Sequence, residues 1–418
     1  MRAYTPRRLL NISILAIIAF LVLPIYVDLG LRASLDHIEG RGTVGGIDFK
    51  AYYLAAHLLQ RGENFYDVRA QEEAMISFGL PLNDSLYIYP PLLAILFLPL
   101  TALSLGRAAQ VWFLFNLALY GLTLAILVKS TGLDTLKEKI APLILLAFLF
   151  APALFTLYKG QINLVILFLL ALTYWFYRRG NLAWAGVSLA CATMIKVVPG
   201  LLILYFLWKR EYKLASATTI AIVLMVVIGL LVAGLPPHLT FLHSVLPTLA
   251  RPRPNPSNLS LAGFFSLLLV ENPFTSSLVD SPSLWRGLAL LASSLLLTLT
   301  FLVCARHAPR AGLEISLFVA TMPLIAQIGW VDFYVLLLLP YAVLVKHLPE
   351  RGSRVQASLA ALSFILLNSP RLLDLWTNFA CGSEALLSNV LVLGTPLYGA
   401  LTVWGLLAWL LWVGNDET

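Results

Sequence analysis

Charge is what this chain most lacks. Only 12% of its 418 residues are Asp, Glu, Lys or Arg, against about 25% in soluble globular proteins. With 60% hydrophobic residues and a mean hydropathy of +0.86, a chain this long cannot present a polar surface to water, so a soluble or disordered protein is excluded. Cysteine is nearly absent. Cys191 and Cys304 fall in apolar segments and Cys381 in a polar one, so neither a disulfide framework nor a CxxC metal motif can be built. Histidine is sparse as well, His238 and His243 stand five apart beside prolines, and neither HExxH nor DxD occurs, so no metal or other cofactor is expected. The GxSxG turn of a serine hydrolase and the GxxxxGK[ST] loop that cradles phosphates are also missing, as are internal repeats.

What the chain has is long apolar runs, at about residues 9–30, 87–103, 109–129, 140–157, 162–177, 182–197, 199–208, 213–235, 285–305, 311–328, 331–346, 355–368 and 390–412. Several reach the roughly 18 apolar residues that mark a membrane helix. The net charge of +7, from 28 basic and 21 acidic residues, invites an acidic partner, but no basic patch with interleaved aromatics appears and no nucleic-acid partner is expected. Basic residues instead collect in cytoplasmic loops of multi-pass proteins. If every run crossed the bilayer, the loops at 129–139 and 178–179 would face outward against that rule. Demoting 87–103, which carries Pro90, Pro91 and Pro99, to an interfacial or re-entrant piece restores the pattern.

The expectation is therefore an all-α polytopic integral membrane protein, a single membrane domain over 1–418 with about twelve transmembrane helices plus interfacial or re-entrant helices on the outer face. Both termini are then cytoplasmic, and residues 31–108, 236–284 and 369–389 form outer segments. The basic start through Arg8 and the apolar run after it read as an uncleaved anchor, because the run is long for a signal peptide and no small-x-small site follows cleanly. The runs at 182–197 and 199–208 are short and turn at Lys196-Val-Val-Pro199, which predicts a thin helical hairpin with its tip toward the outer face.

Polar residues at membrane depth are costly and are functional candidates by default. Here they gather at the outer end: Asp48, Tyr52, Tyr53, Tyr89, Lys159, Gln161, Asn163, Lys196, Arg251, Arg253, Asn258, Trp330 and Asp332. Carboxylate, amides, aromatic faces and cations together suit a sugar carrying a phosphate. Each has a plainer reading beside the functional one. Asp48 follows Gly45-Gly46-Ile47 and could cap a helix or act as a general base. Gln161 and Asn163 could cap a span or touch ligand. Lys196 could snorkel to the interface or bind phosphate. Arg251 and Arg253 alternate with Pro252 and Pro254 in a stiff arm that could simply be solvated, while Trp330 suits an aromatic belt and Asp332 the first turn of a span.

The ordered strings Gly46-Ile-Asp48-Phe-Lys-Ala-Tyr52-Tyr53, Tyr66-Asp67, Tyr89-Pro90-Pro91, Trp112 with Asn116, Gly160-Gln161-x-Asn163, Ala185-Gly186 and Lys196-x-x-Pro199 resemble the polytopic mannosyltransferases of glycosyltransferase family 87. The resemblance spans about residues 44–212, with a fainter echo at Asn258-Leu-Ser260 and Trp330. It implies a GT-C-like membrane fold and a polyprenyl-phosphate sugar donor, most often mannose, used on the outer side. It further implies transfer with inversion and no metal, and it makes Asp48 the base; it does not imply the acceptor, expected here to be a lipid or glycan hydroxyl. In such enzymes a His often stands two residues after the tryptophan, where this chain has Asp332. The expected function is a plasma-membrane glycosyltransferase in which Lys196, Lys159, Arg251 and Arg253 hold the donor phosphate. Tyr52, Tyr53, Tyr89, Gln161, Asn163, Asn258, Trp330 and Asp332 would hold sugar or acceptor. The competing readings are a carrier or flippase for lipid-linked sugar and a non-catalytic envelope-assembly protein. Partners are membrane lipid, donor and acceptor.

Overall fold

The computed structural model describes Ser13 and residues 47–82, 85–135, 140–305, 310–369 and 394–413. Apart from Ser13 and Ser369, the expected first span at 9–30, the start of the first outer segment at 31–46, the outer segment at 369–389 and both termini lie outside the described residues. Within what is described the protein is helical, without a strand; an isolated bridge pairs Asn258 with Trp330. Apolar surroundings leave backbone N–H and C=O groups no water to bond, so a helix, which satisfies them within one segment, is the structure such a sequence can form.

In chain order the helices are α1 Ile47–Gln60, α2 Val68–Ser77, α3 Pro91–Phe97, α4 Leu105–Thr131, α5 Ile140–Phe148, α6 Ala151–Lys159, α7 Asn163–Arg178, α8 Leu182–Ile195, α9 Leu201–Trp208 and α10 Tyr212–Ala233. They continue with α11 Leu261–Leu269, α12 Pro282–Ala305, α13 Ala311–Ile325, α14 Leu338–Arg351, α15 Arg354–Asn368 and α16 Thr395–Val413. Apolar helices fall on the expected segments from 109–129 onward. Among the described residues α4, α10, α12, α16 and the 331–348 stretch are each long and apolar enough to cross a membrane. The chain is thus an integral-membrane protein.

Two expectations change in detail. The 140–157 segment is not one straight helix: α5 and α6 meet at 48°. Pro152, in the first turn of α6, has no N–H to continue the α5 ladder. The 236–284 segment, expected as a long outer segment, contains helical turns over 235–249, including a π turn at Phe241–Val245, and then α11. The demoted 87–103 segment is a short helix, α3, followed by a 3-10 turn at Leu98–Ala102. Pro91 sits in its first turn, where a missing N–H costs nothing.

Contacts gather the chain into two compact units. The first takes residues up to Ile126, Leu136–Leu149 and Leu154–Leu249; the second takes Leu127–Thr135, Phe150–Ala153 and Ala250–Thr418. In the first unit α8 packs against both α7 and α10. The α8–α10 approach depends on Gly186, where a Cβ would lie 2.6 Å from the Leu214 carbonyl oxygen and 2.9 Å from the Thr218 nitrogen. Backbones come this close only where the side chain is a hydrogen, the small-residue rule of helix pairs in lipid. In the second unit α15 packs on α16. The Trp404 indole N–H reaches the Thr300 and Thr321 hydroxyls at 3.1 Å each, so polar groups on α12, α13 and α16 bond one another instead of facing lipid. Trp285 closes a smaller core against Ala262 and Leu269 and donates to the Ala262 carbonyl at 2.8 Å.

Replacing Gly186 by Ala places a methyl against rigid backbone, and overpacking of this kind costs about 1–3 kcal/mol. Gly186→Ala should lower the melting temperature of the detergent-purified protein by several degrees, and Gly186→Leu should leave little monodisperse protein, both read by fluorescence-detected size exclusion over a temperature ramp.

Candidate active site

The first unit assembles a polar group around one turn, Lys159-Gly160-Gln161, which links α6 to α7. Gly160 has φ of +67°, and a Cβ there would sit 2.6 Å from the Phe49 Cβ. Only glycine fits both the left-handed backbone and the contact with α1. The Gly160 carbonyl accepts the Trp112 indole N–H at 2.7 Å, and Phe49, Phe97 and Trp112 form an apolar pad beneath it.

Gln161 is 1% exposed. Its Oε1 accepts the Tyr52 hydroxyl at 2.8 Å and the Ile162 backbone N–H at 3.1 Å, while its Nε2 donates to the Tyr89 hydroxyl at 2.9 Å. The Tyr52 and Tyr89 rings meet edge to face at 5.0 Å. Burial, then the neighbouring Tyr89 phenol and Asp48 carboxylate, hold the Tyr52 hydroxyl well above the ordinary tyrosine range. Tyr52 therefore remains a donor through the neutral range, and Asp48 lies near enough for its charge to be felt there.

Asp48 occupies the first turn of α1, a helical position beside the partial positive charge of the N-terminus, which favours an ionised carboxylate. It is half-buried. Every residue from Phe49 to Ala56 is buried, so α1 is enclosed on all sides and its Asp-bearing end is held fixed. Tyr53 directs its hydroxyl to the Leu103 carbonyl at 2.8 Å. The turn that carries Tyr89 is fixed from both sides: Tyr66 donates to the Tyr89 carbonyl at 2.6 Å, Tyr87 donates to the Pro90 carbonyl at 2.7 Å, and Gln71 accepts the Tyr87 N–H at 2.7 Å.

Two residues beyond Gln161, Asn163 opens α7 and is fully buried. Its Oδ1 accepts from the Lys196 ammonium at 2.9 Å. Lys196 ends α8 in an extended conformation, φ −146° and ψ 122°, immediately before the 3-10 turn Val198–Gly200. The expected turn at Lys196–Pro199 is present between α8 and α9, and the break brings the lysine to the start of α7. Lys159 ends α6, half-buried. Asp48, Tyr52, Tyr89, Gln161, Asn163 and Lys196 are thus tied into one neighbourhood, with Lys159 on the same turn.

The remaining expected residues belong to the second unit. Asn258 is 2% exposed and its amide is fully engaged: Oδ1 accepts the Gly329 N–H at 2.9 Å and the Ser260 hydroxyl at 3.0 Å, and Nδ2 faces the Gln327 and Arg253 carbonyls at 3.3 and 3.4 Å. It fastens the 253–260 stretch to the turn that carries Trp330. Asp332, fully buried, sits in the first turn of the 3-10 helix Val331–Leu337. Arg251 is exposed. Arg253 is half-buried, its Nε has no hydrogen-bond partner, and burial lowers its pKa.

Four features carry no assigned role in the sequence reading. Lys50, 2% exposed, is a buried basic residue two positions after Asp48; a lysine inside the buried run Phe49–Ala56 is the signal. Gly160, Tyr66 and Trp112 stand in the strings quoted above, but only the fold shows that they hold the turn, the Tyr89 carbonyl and the Gly160 carbonyl.

Substituting Gly160 by Ala forces either α1 or the Gln161 turn to move. Gly160→Ala should yield folded protein whose turnover falls at least as far as that of Gln161→Leu, measured in the same assay on material matched for melting temperature.

Residues 87–327 match the family model described as Glycosyltransferase family 87. Among curated proteins, a polyprenol-phosphate-mannose-dependent alpha-(1-2)-phosphatidylinositol mannoside mannosyltransferase of Mycobacterium tuberculosis (strain ATCC 25618 / H37Rv) is 28% identical over 208 residues, covering 45% of this chain and 45% of the relative. The chain therefore spans less than half the length of that relative. The family match begins after Asp48 and Tyr52 and ends before Trp330, but it runs through Tyr89, the Lys159–Asn163 turn, Lys196 and Asn258. It covers more than half of the sequence, and the chain belongs to glycosyltransferase family 87.

Proposed function

We propose that this glycosyltransferase moves mannose from a polyprenyl-phosphate donor to a hydroxyl of a lipid or glycan acceptor, with Asp48 as general base. The observation that carries the proposal is the shared neighbourhood of the Asp48 carboxylate, the Tyr52–Gln161–Tyr89 hydrogen-bond group and the Asn163–Lys196 pair in one unit. The donor class rests on the activity of the mycobacterial relative. In the reaction the Asp48 carboxylate takes the acceptor hydroxyl proton, the hydroxyl oxygen bonds to the anomeric carbon, and the bond from that carbon to the phosphate oxygen breaks with its electron pair remaining on phosphate. Attack opposite the leaving group inverts the centre.

Lys196, oriented by Asn163, and Lys159 are the proposed donor-phosphate cations of the first unit. Tyr52, Tyr89 and Gln161 fix the sugar-binding surface, and Tyr53, bonded to backbone, supports it. In the second unit, Arg253 with its unbonded Nε and the exposed Arg251 are proposed anion ligands, Asn258 is proposed to position Trp330, and Trp330 and Asp332 to meet sugar or acceptor. No metal or cofactor enters this scheme. The twelve-span GT-C-like arrangement, with both termini cytoplasmic and the chemistry at the outer face of the plasma membrane, is part of the same proposal. The short apolar helices α7, α8 and α9 then complete spans that are too brief to cross alone.

The test is transfer from radiolabelled polyprenyl-phosphate mannose to candidate glycolipids by purified protein in detergent. Product should form without a sealed membrane. A general base contributes about 10²–10⁴-fold, so Asp48→Asn should lose turnover on that scale with an unchanged melting temperature, and full activity of this variant would remove Asp48 from the mechanism. Vesicle-dependent movement of donor without product would favour a carrier. Lys196→Gln should lose about 10²-fold in kcat/KM, the size of one electrostatic contact to the developing charge, and Asn163→Ala should lose less because the ammonium itself remains.

A further inference from the structure

The hairpin of α7 and α8 carries the Asn163–Lys196 bond at one end and a cavity of about 630 Å³ at the other, lined by Arg179, Asn181, Leu182, Lys213 and Ser216 among others. The sixteen residues of α7 separate the two ends by roughly 24 Å at 1.5 Å per residue. The proposed chemistry uses none of the cavity's residues. We propose that this cavity holds the phosphodiester headgroup of an anionic phospholipid, a lipid site separate from donor and acceptor.

The electrostatics of the cavity suit an anion. Arg179 and Lys213 bring two cations from different helix ends, and Arg178, Lys209 and Arg210 follow within the same pair of turns. The Arg179 guanidinium lies 3.8 Å from the centre of the Trp175 ring, a stacking contact that holds it in place before any ligand arrives. The cavity also borders the N-terminus of α8, a fourteen-residue helix capped by Asn181, whose dipole adds partial positive charge. Glu211, the acid in this stretch, accepts the Tyr177 hydroxyl at 2.8 Å.

Apolar surroundings select a lipid over a free anion. Trp184 is 58% exposed and Tyr212 63% exposed, the placement of aromatic rings at a membrane interface. Along α10 the exposed Ile220, Val223 and Leu224 continue an apolar face away from the cavity. A phospholipid can place its phosphate between Arg179 and Lys213 and lay its chains along that face, whereas inorganic phosphate would gain nothing from it. Basic cavities between membrane helices bind anionic headgroups in this way.

Native mass spectrometry of the full-length protein, titrated with dioleoyl phosphatidylglycerol and dioleoyl phosphatidylcholine, tests the site. Wild type should bind the glycerol lipid about 10- to 30-fold more tightly, the preference two near-surface cations supply. Arg179→Gln/Lys213→Gln should abolish the preference, and the charge-keeping Arg179→Lys/Lys213→Arg should retain it. Arg286→Gln/Arg354→Gln, which removes two exposed cations elsewhere, should also retain it. The proposal fails if wild type shows no preference, if the preference survives Arg179→Gln/Lys213→Gln, or if the Arg286/Arg354 control loses it equally, which would reflect overall charge. It also fails if excess inorganic phosphate displaces the lipid, which would identify a free-anion site. None of these readings depends on whether Asp48 is a base.

Discussion

A buried primary amide must have its carbonyl and its N–H groups partnered, because leaving one unbonded away from water costs about 1–3 kcal/mol. Gln161 meets that demand with three different parts of the chain: Tyr52 on α1, Tyr89 on the turn before α3, and the backbone N–H of Ile162, the residue that leads into α7. The same demand makes these parts converge. Gly160 allows the convergence by letting the turn sit against Phe49, and the Trp112 bond to its carbonyl keeps the turn from rotating away. Loss of any one of these interactions loosens the others, since each is oriented by the amide or by the turn that carries it. The register of α1, and with it the place of Asp48, depends on the arrangement.

Hydropathy made most of the scaffold legible. Apart from α11, which lies in the 236–284 segment, the helices from α4 to α16 fall on the apolar runs, because in a chain with so little charge the few polar interruptions mark the ends of helices. The 48° break between α5 and α6 was hidden because its cause, Pro152, sits among apolar residues that hydropathy averages over. The helical turns of 235–249 were hidden for the opposite reason: prolines at 236, 237 and 247 read as loop, although the first two stand in an opening turn, where proline is tolerated. The division into two units rests on contacts distant in sequence and leaves no compositional boundary.

At the candidate site the residue types were legible and their connections were not. Asp48, Gln161, Asn163 and Lys196 stand out as polar groups in apolar context, yet nothing in their spacing says that Asn163 would accept from Lys196, thirty-three residues away. Tyr53 and Asn258 show the reverse. Both look like ligands in sequence, and both have their polar atoms engaged by backbone or by neighbouring side chains. A polar residue in a membrane protein therefore marks a place where something must be bonded, and only the fold decides whether the partner is the protein or a substrate.

The proposed chemistry draws unequally on these parts. A lipid-phosphate donor leaves as a stable anion, so the phosphate end needs cations held in place but little proton transfer, and an ammonium already bonded to Asn163 arrives with its direction set. The acceptor hydroxyl becomes acidic only as its oxygen bonds to carbon, so the base must be ionised beforehand and close, while it need not be strongly basic. The first turn of α1 suits that role: the helix N-terminus favours the carboxylate form, and the buried body of α1 from Phe49 to Ala56 fixes the place of that turn. Stabilising the anion costs some basicity, and that loss is tolerable only where the leaving group does not itself require a proton. An Asp in this position is thus better matched to a phosphate-leaving donor than to one whose leaving oxygen must be protonated.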